Sequence, residues 1–115
     1  MCHGASRPDP AIVSRYRDGF VARGSALARP AVVVAVAGIC ADSIAAAEAR
    51  WHDPPRRPAM VPNVLGTPAE WRRFLDEVIA CYRPDELLFV DLCTAPADRT
   101  RSYTLFAAAA AEVAA

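Results

Sequence analysis

The residues of this chain that could do chemistry are few and scattered. Four cysteines stand at positions 2, 40, 81 and 93 and two histidines at 3 and 52, with no CxxC pair and no CxxH. Zinc needs about four convergent ligands, and nothing here has ligand spacing, so no metal site is expected. A reactive cysteine needs a nearby cation or base to lower its pKa, and no basic neighbour in sequence flanks Cys40 or Cys93. His52 lies at the edge of a proline-rich stretch with no serine or cysteine spaced as a catalytic partner, and His3 is close to a terminus, where mobility is expected. Arg99 and Arg101 could bind an acidic ligand, but near a helix start with Asp98 beside them they are expected to be solvated or paired. The free N–H groups ahead of Thr67 could receive a phosphate, yet Glu70 already occupies that helix end and repels an anion.

Composition bounds what these residues can serve. The 115 residues make one domain or part of one, and 54% hydrophobic content supplies a core. Thirteen basic residues balance thirteen acidic ones, so nothing attracts nucleic acid in general. The longest apolar run, residues 31–41, is far short of the roughly 20 residues that span a bilayer. It also lies too far from Met1, behind too many charges, to be a signal sequence, so no membrane association and a cytoplasmic location with reduced thiols are expected.

The elements that must position these residues follow from periodicity and caps. Asp9 and Pro10 open a short helix that Gly19 ends, with Ile12, Val13 and Tyr16 as its buried stripe. Pro30 then leads into Ala31 to Ala37, apolar on both faces, as in a parallel strand buried on both sides. Gly38 is expected to end it. Asp42 or Ser43 caps a helix running to about Trp51, with Ile44, Ala47 and Trp51 on one side. Residues 52–63 form a proline-rich connector, because Pro54, Pro55, Pro58 and Pro62 remove donors and fix φ.

Beyond the connector the pattern sharpens. Thr67-Pro68-Ala69-Glu70 has the form of a capping box, and Trp71, Phe74, Leu75, Val78, Ile79 and Tyr82 recur at helical spacing, with Cys81 expected on the apolar side. Pro84 stops that helix. Glu86 to Asp91 reads as a strand, and Leu92 to Pro96 as a loop. A last helix runs from about Ala97 to Val113, with Tyr103, Phe106, Ala110 and Val113 facing inward. Strands alternating with helices imply parallel pairing and right-handed crossovers, an α/β fold of two parallel strands and about four helices.

These pieces, in this order, resemble the C-terminal part of the bacterial luciferase-like, flavin-dependent monooxygenases. Arg15-Tyr16-Arg17 with Phe20 is similar to a segment before the penultimate strand of that family. Val33 to Ala37 followed by Ala41-Asp42-Ser43 and the alanine-rich 46–49 is similar to the strand and helix start that follow. Gly66-Thr67-Pro68 with Glu70, Asp85-Glu86-Leu87-Leu88, and Arg99 to Tyr103 resemble the closing helix, strand and helix. No single motif is specific; the order carries the resemblance.

The resemblance implies a partial (β/α)8-type barrel, residues 1–115 forming a single partial domain. A complete barrel takes about 250 residues, and the strands that carry the family's flavin phosphate contacts and most of its catalytic groups lie earlier. It implies FMN or a deazaflavin as cofactor, although binding by this chain alone is not expected, and it assigns no catalytic residue. Barrel ligands sit at the C-terminal ends of strands, which makes Cys40, Asp91, Cys93 and Thr94 the candidate cofactor-binding positions. The competing reading makes both cysteines buried apolar fillers and Asp42 a helix cap, and the residues favour it. Two functions follow: a luciferase-like oxidoreductase with little activity as this chain alone, or a small non-catalytic α/β module that self-associates, binds a protein partner, or meets a complementing barrel chain through exposed strand edges.

Overall fold

The structure, a computed structural model, describes residues 9–21, 29–52 and 61–114, together with the backbone of 2–4. Its elements in chain order are β1 (Cys2–Gly4), α1 (Pro10–Gly19), β2 (Val33–Cys40), α2 (Ile44–His52), β3 (Val64–Gly66), α3 (Pro68–Tyr82), β4 (Glu86–Asp91) and α4 (Pro96–Ala114). Most of the proline-rich connector, residues 53–60, lies outside the described residues. No helix among the described residues is long and apolar enough to cross a membrane.

β2 is the axis of a four-stranded parallel sheet. β4 takes one of its edges from Val33 to Gly38. β1 and β3 share the other edge, β1 pairing Val33 to Ala35 and β3 pairing Gly38 to Cys40. Between them Asn63 completes the ladder: its amide N–H donates to the Ala37 carbonyl (2.7 Å) and its side-chain oxygen accepts from the Ala37 N–H (2.8 Å). The expected count of two strands is therefore corrected to four among the described residues. β1 and β3 have three residues each, too few to show a period, and it is pairing with β2 that makes them strands.

Two further expectations are corrected on β2. Gly38 lies within the strand, which continues through Ile39 and Cys40, because β3 adds pairing there. The strand is also not buried equally on both faces: Val32, Val34 and Val36 are fully buried, whereas Val33, Ala35 and Ala37 are only partly covered. α1, α3 and α4 pack on the first face, joining these valines and Cys40 to Val13, Trp71, Leu75, Val78, Tyr82, Phe106 and Ala109. Each large side chain buried there contributes about 1.5–3 kcal/mol. α2 packs on the opposite face at its C-terminal end, where Ala47 and Trp51 meet Ile39, Ala41, Leu92 and Cys93.

Local chemistry explains the helix ends. Asp9 Oδ1 accepts from the Ala11 N–H (3.2 Å), and Ser43 Oγ from Ala46 (3.1 Å). Glu70 closes the α3 capping box, accepting from the Thr67 N–H (2.7 Å) and from the Thr67 hydroxyl. The hydroxyl first, then the N–H, hold its carboxyl below the usual glutamate range. At the other end Arg83 adopts the left-handed conformation (φ 45°) and donates to Ile79 before Pro84. Cys81 is exposed rather than on the apolar side. On α4 Phe106 is buried and Ala110 and Val113 pack against the core as expected, joined by Ser102 and Ala109, whereas Tyr103 is largely exposed.

Candidate functional site

The C-terminal ends of β2 and β4 meet beneath α2 and the start of α4, and this is where the candidate residues fall. The sheet does not bring them to one point. Cys40 faces α3 and α4, and its backbone N–H donates to the buried Ser102 Oγ (3.0 Å). Cys93 belongs to the second cluster, with Ile39, Ala47, Trp51 and Leu92 on the opposite face. Alternation along β2 sends even and odd residues to different sides, so the two thiols are separated by the sheet itself. Thr94 is exposed.

Neither buried thiol is poised for nucleophilic work. Burial, then the charges of Asp42 and Glu70, pushes Cys40 up to about 12. Burial, then the charge of Asp91 and a hydrogen bond to it, pushes Cys93 to about 12. Both stay protonated at neutral pH, and a thiol is a far weaker nucleophile than a thiolate. In a chain carrying Cys2→Ser, a disulfide-exchange reagent at pH 8 is expected to label Cys81 rapidly and to reach Cys40 and Cys93 only in denaturant. Stoichiometric labelling of all three thiols in the native chain would overturn this assignment.

Asp91 is the candidate with most local structure. Its side chain is fully buried. Oδ2 accepts from the Cys93 N–H (3.1 Å) and pairs with Arg99 Nε (3.5 Å), while Arg99 Nη2 donates to the Cys93 carbonyl (3.0 Å). Oδ1 is buried without a partner. Across the loop, Arg50 Nε pairs with Asp98 Oδ1 (3.3 Å), and its Nη1 is likewise buried and unpartnered. Asp91 and Arg99 thus fix the loop that leaves β4, and of the two orphaned atoms Asp91 Oδ1 can accept and Arg50 Nη1 can donate hydrogen bonds.

Sequence reasoning missed Arg50, Asp98 and Ser102. Arg50 and Asp98 carried no usable signal, being charges on two helices whose relative placement only the fold decides. Ser102 did carry one, lying four residues before Phe106 on the inward stripe. Asp42 or Ser43 was expected to cap α2; Ser43 is the cap, and Asp42 makes a two-point pair with Arg101 Nη2 (2.7 Å) and Nε (3.3 Å). That pairing holds Asp42 below the usual carboxylate range. Among the described residues no group of His, Cys, Asp and Glu could hold a metal ion.

A flavin does not fit this end of the chain as it stands. Trp51, Leu92 and Cys93 fill the space over Ile39. The guanidiniums that could face a phosphate, those of Arg50, Arg99 and Arg101, each pair with a carboxylate, Asp98, Asp91 and Asp42 respectively. What these residues provide is positioning of loops and helix ends.

No protein-family model matches the sequence, and no curated protein does. Among solved structures the chain is similar to apo-MsnO8, with a TM-score of 0.75 and 20% sequence identity, over 96% of this chain and 44% of that one. The chain thus spans less than half the length of that protein. At this identity the likeness shows a shared α/β fold.

Proposed function

We propose that this chain is a luciferase-like, flavin-dependent oxidoreductase represented by its C-terminal portion, with little or no activity by itself. The observation that carries this reading is the likeness of fold to apo-MsnO8 across almost the whole chain, beside the ordered motifs that resemble the luciferase-like family. The open face of the sheet agrees with it: Val33, Ala35 and Ala37 on β2 align in register with Glu86, Leu88 and Val90 on β4. Further strands of a closed barrel would cover these residues. In such enzymes the reduced flavin supplies the redox chemistry, and the groups that would hold FMN or a deazaflavin belong to strands outside this chain. Titrating the purified chain with FMN or a reduced deazaflavin at micromolar concentration is expected to give neither quenching nor a spectral shift. Stoichiometric binding would overturn the claim that the site lies elsewhere.

A second reading makes the chain a non-catalytic α/β module that self-associates or binds a protein through its strand edges. Leu88 and Val90 favour it, being 52% and 40% exposed on a strand that pairs on one side only among the described residues.

A further inference from the structure

We propose that two copies of this chain pair antiparallel through the outer edges of β4, with Phe89 on the two-fold axis. The proposal rests on the self-association reading and specifies its interface.

The hydrogen-bond ladder fixes which groups are free. Glu86 N–H donates to the Val32 carbonyl and Leu92 N–H to the Gly38 carbonyl. In a parallel pair this alternation turns residues 86, 88, 90 and 92 toward β2. The N–H and C=O groups of Leu87, Phe89 and Asp91 therefore point away from β2 along the outer edge. α4 meets β4 on the core face, where Phe106 stacks on Phe89 and Tyr103 stands edge-on to it, and among the described residues no further strand pairs with the outer edge.

A two-fold axis perpendicular to the sheet keeps like faces together and runs the two β4 strands antiparallel. With Phe89 opposite Phe89, Leu87 falls opposite Asp91 on both sides of the axis. These are the hydrogen-bonded pairs, so every outward-pointing group of the strand is used. On the open face Leu88 then falls opposite Val90, twice, at the close spacing of non-hydrogen-bonded pairs. Glu86 lies opposite Leu92, clear of any acidic residue. Moving the register by two residues places Phe89 opposite Leu87 and Asp85 opposite Asp91, which loses ladder bonds and opposes like charges. The register centred on Phe89 is thus self-complementary.

The distribution of exposed apolar surface supports the same interface. Leu88 and Val90 lie exposed on the open face of β4, and pairing at Phe89 would bring both copies of these two residues to the axis.

Size-exclusion with light scattering is expected to give twice the monomer mass. The double variant Leu88→Glu, Val90→Glu should raise the dimer dissociation constant about tenfold or more, because four carboxylates then face one another in two pairs. Mixing it with Leu88→Lys, Val90→Lys should restore a heterodimer. In a Cys2→Ser, Cys81→Ser background, Leu88→Cys mixed with Val90→Cys should form an intermolecular disulfide, and Leu88→Cys alone should not. A monomer at all concentrations would overturn the proposal and self-association together, leaving the edge for a strand of another chain. A dimer indifferent to charge at 88 and 90, with no 88–90 disulfide, would overturn this interface alone.

Discussion

Trp71→Ala is expected to lower stability by about 3–5 kcal/mol, the range for a fully buried aromatic reduced to a methyl group. Trp71 is the largest fully buried side chain of the described residues. Its ring stands edge-on to Phe74 (6.0 Å), Phe89 (5.2 Å) and Phe106 (5.2 Å). Each such pair adds about 0.5–1.5 kcal/mol beyond the area it buries. The indole N–H also donates to the Ile39 carbonyl (2.9 Å), tying α3 to the C-terminal end of β2. The neighbours cannot collapse into the space, because Phe89 and Phe106 are already stacked on each other at 3.9 Å. Domains of this size are stable by only about 5–15 kcal/mol, so the variant loses a large share of its margin. Urea denaturation followed by circular dichroism measures the loss. Trp71→Phe, which keeps one aromatic ring but gives up the indole bond and part of the buried volume, is expected to recover part of it. A shift under about 1 kcal/mol for the alanine variant would remove Trp71 from the centre of this core.

The dominance of one tryptophan shows what was legible in the sequence. α3 could be read because its cap, its stripe and its proline stop all agree, and Trp71, Leu75, Val78 and Tyr82 are buried as the spacing requires. β4 could be read because Glu86 and Asp91 bracket its apolar run. β1 and β3 could not, since three residues carry no period and their pairing partner is far away in the chain. The burial of Ser102 on α4, with Tyr103 exposed, was hidden by the alanines, which are compatible with either side. At the candidate site Asp91 and Cys93 were singled out by their place at the C-terminal end of β4. Arg50 and Asp98 escaped because an ion pair between two helices depends on the packing angle. The separation of Cys40 from Cys93 follows from period-two alternation, yet the sequence placed both merely at strand ends.

Gly38→Ala is expected to be as disruptive as the loss of a core side chain, although it adds a single methyl group. Gly38 is the point where three elements converge: β3 runs alongside it, β4 pairs with it through Asp91, and the Trp71 ring lies over it. A Cβ at this position would lie 2.7 Å from Trp71 Cζ2 and 3.0 Å from the Val64 carbonyl carbon, and closer still to the Val64 oxygen. Neither neighbour can give way. Val64 is backbone held in the ladder, and Trp71 is wedged among three aromatic rings. Overpacking costs about 1–3 kcal/mol and sometimes more, and here the upper end is expected because relief requires β3 to leave β2. Departure of β3 would break the bond from Ala41 N–H to the Gly66 carbonyl (2.9 Å) and the paired bonds of Asn63 with Ala37. Hydrogen exchange should therefore quicken at Ala37 and Ala41, which face β3, well before it quickens at Val34 and Val36, which face β4. Gly19→Ala is the control: nothing lies within 4 Å of a Cβ there, and a relieved glycine typically gains about 0.4–1 kcal/mol. If Gly38→Ala matched that control in both melting temperature and exchange, the close approach of β3 to β2 would be wrong. The edge shared by β1, Asn63 and β3 would then need a different construction.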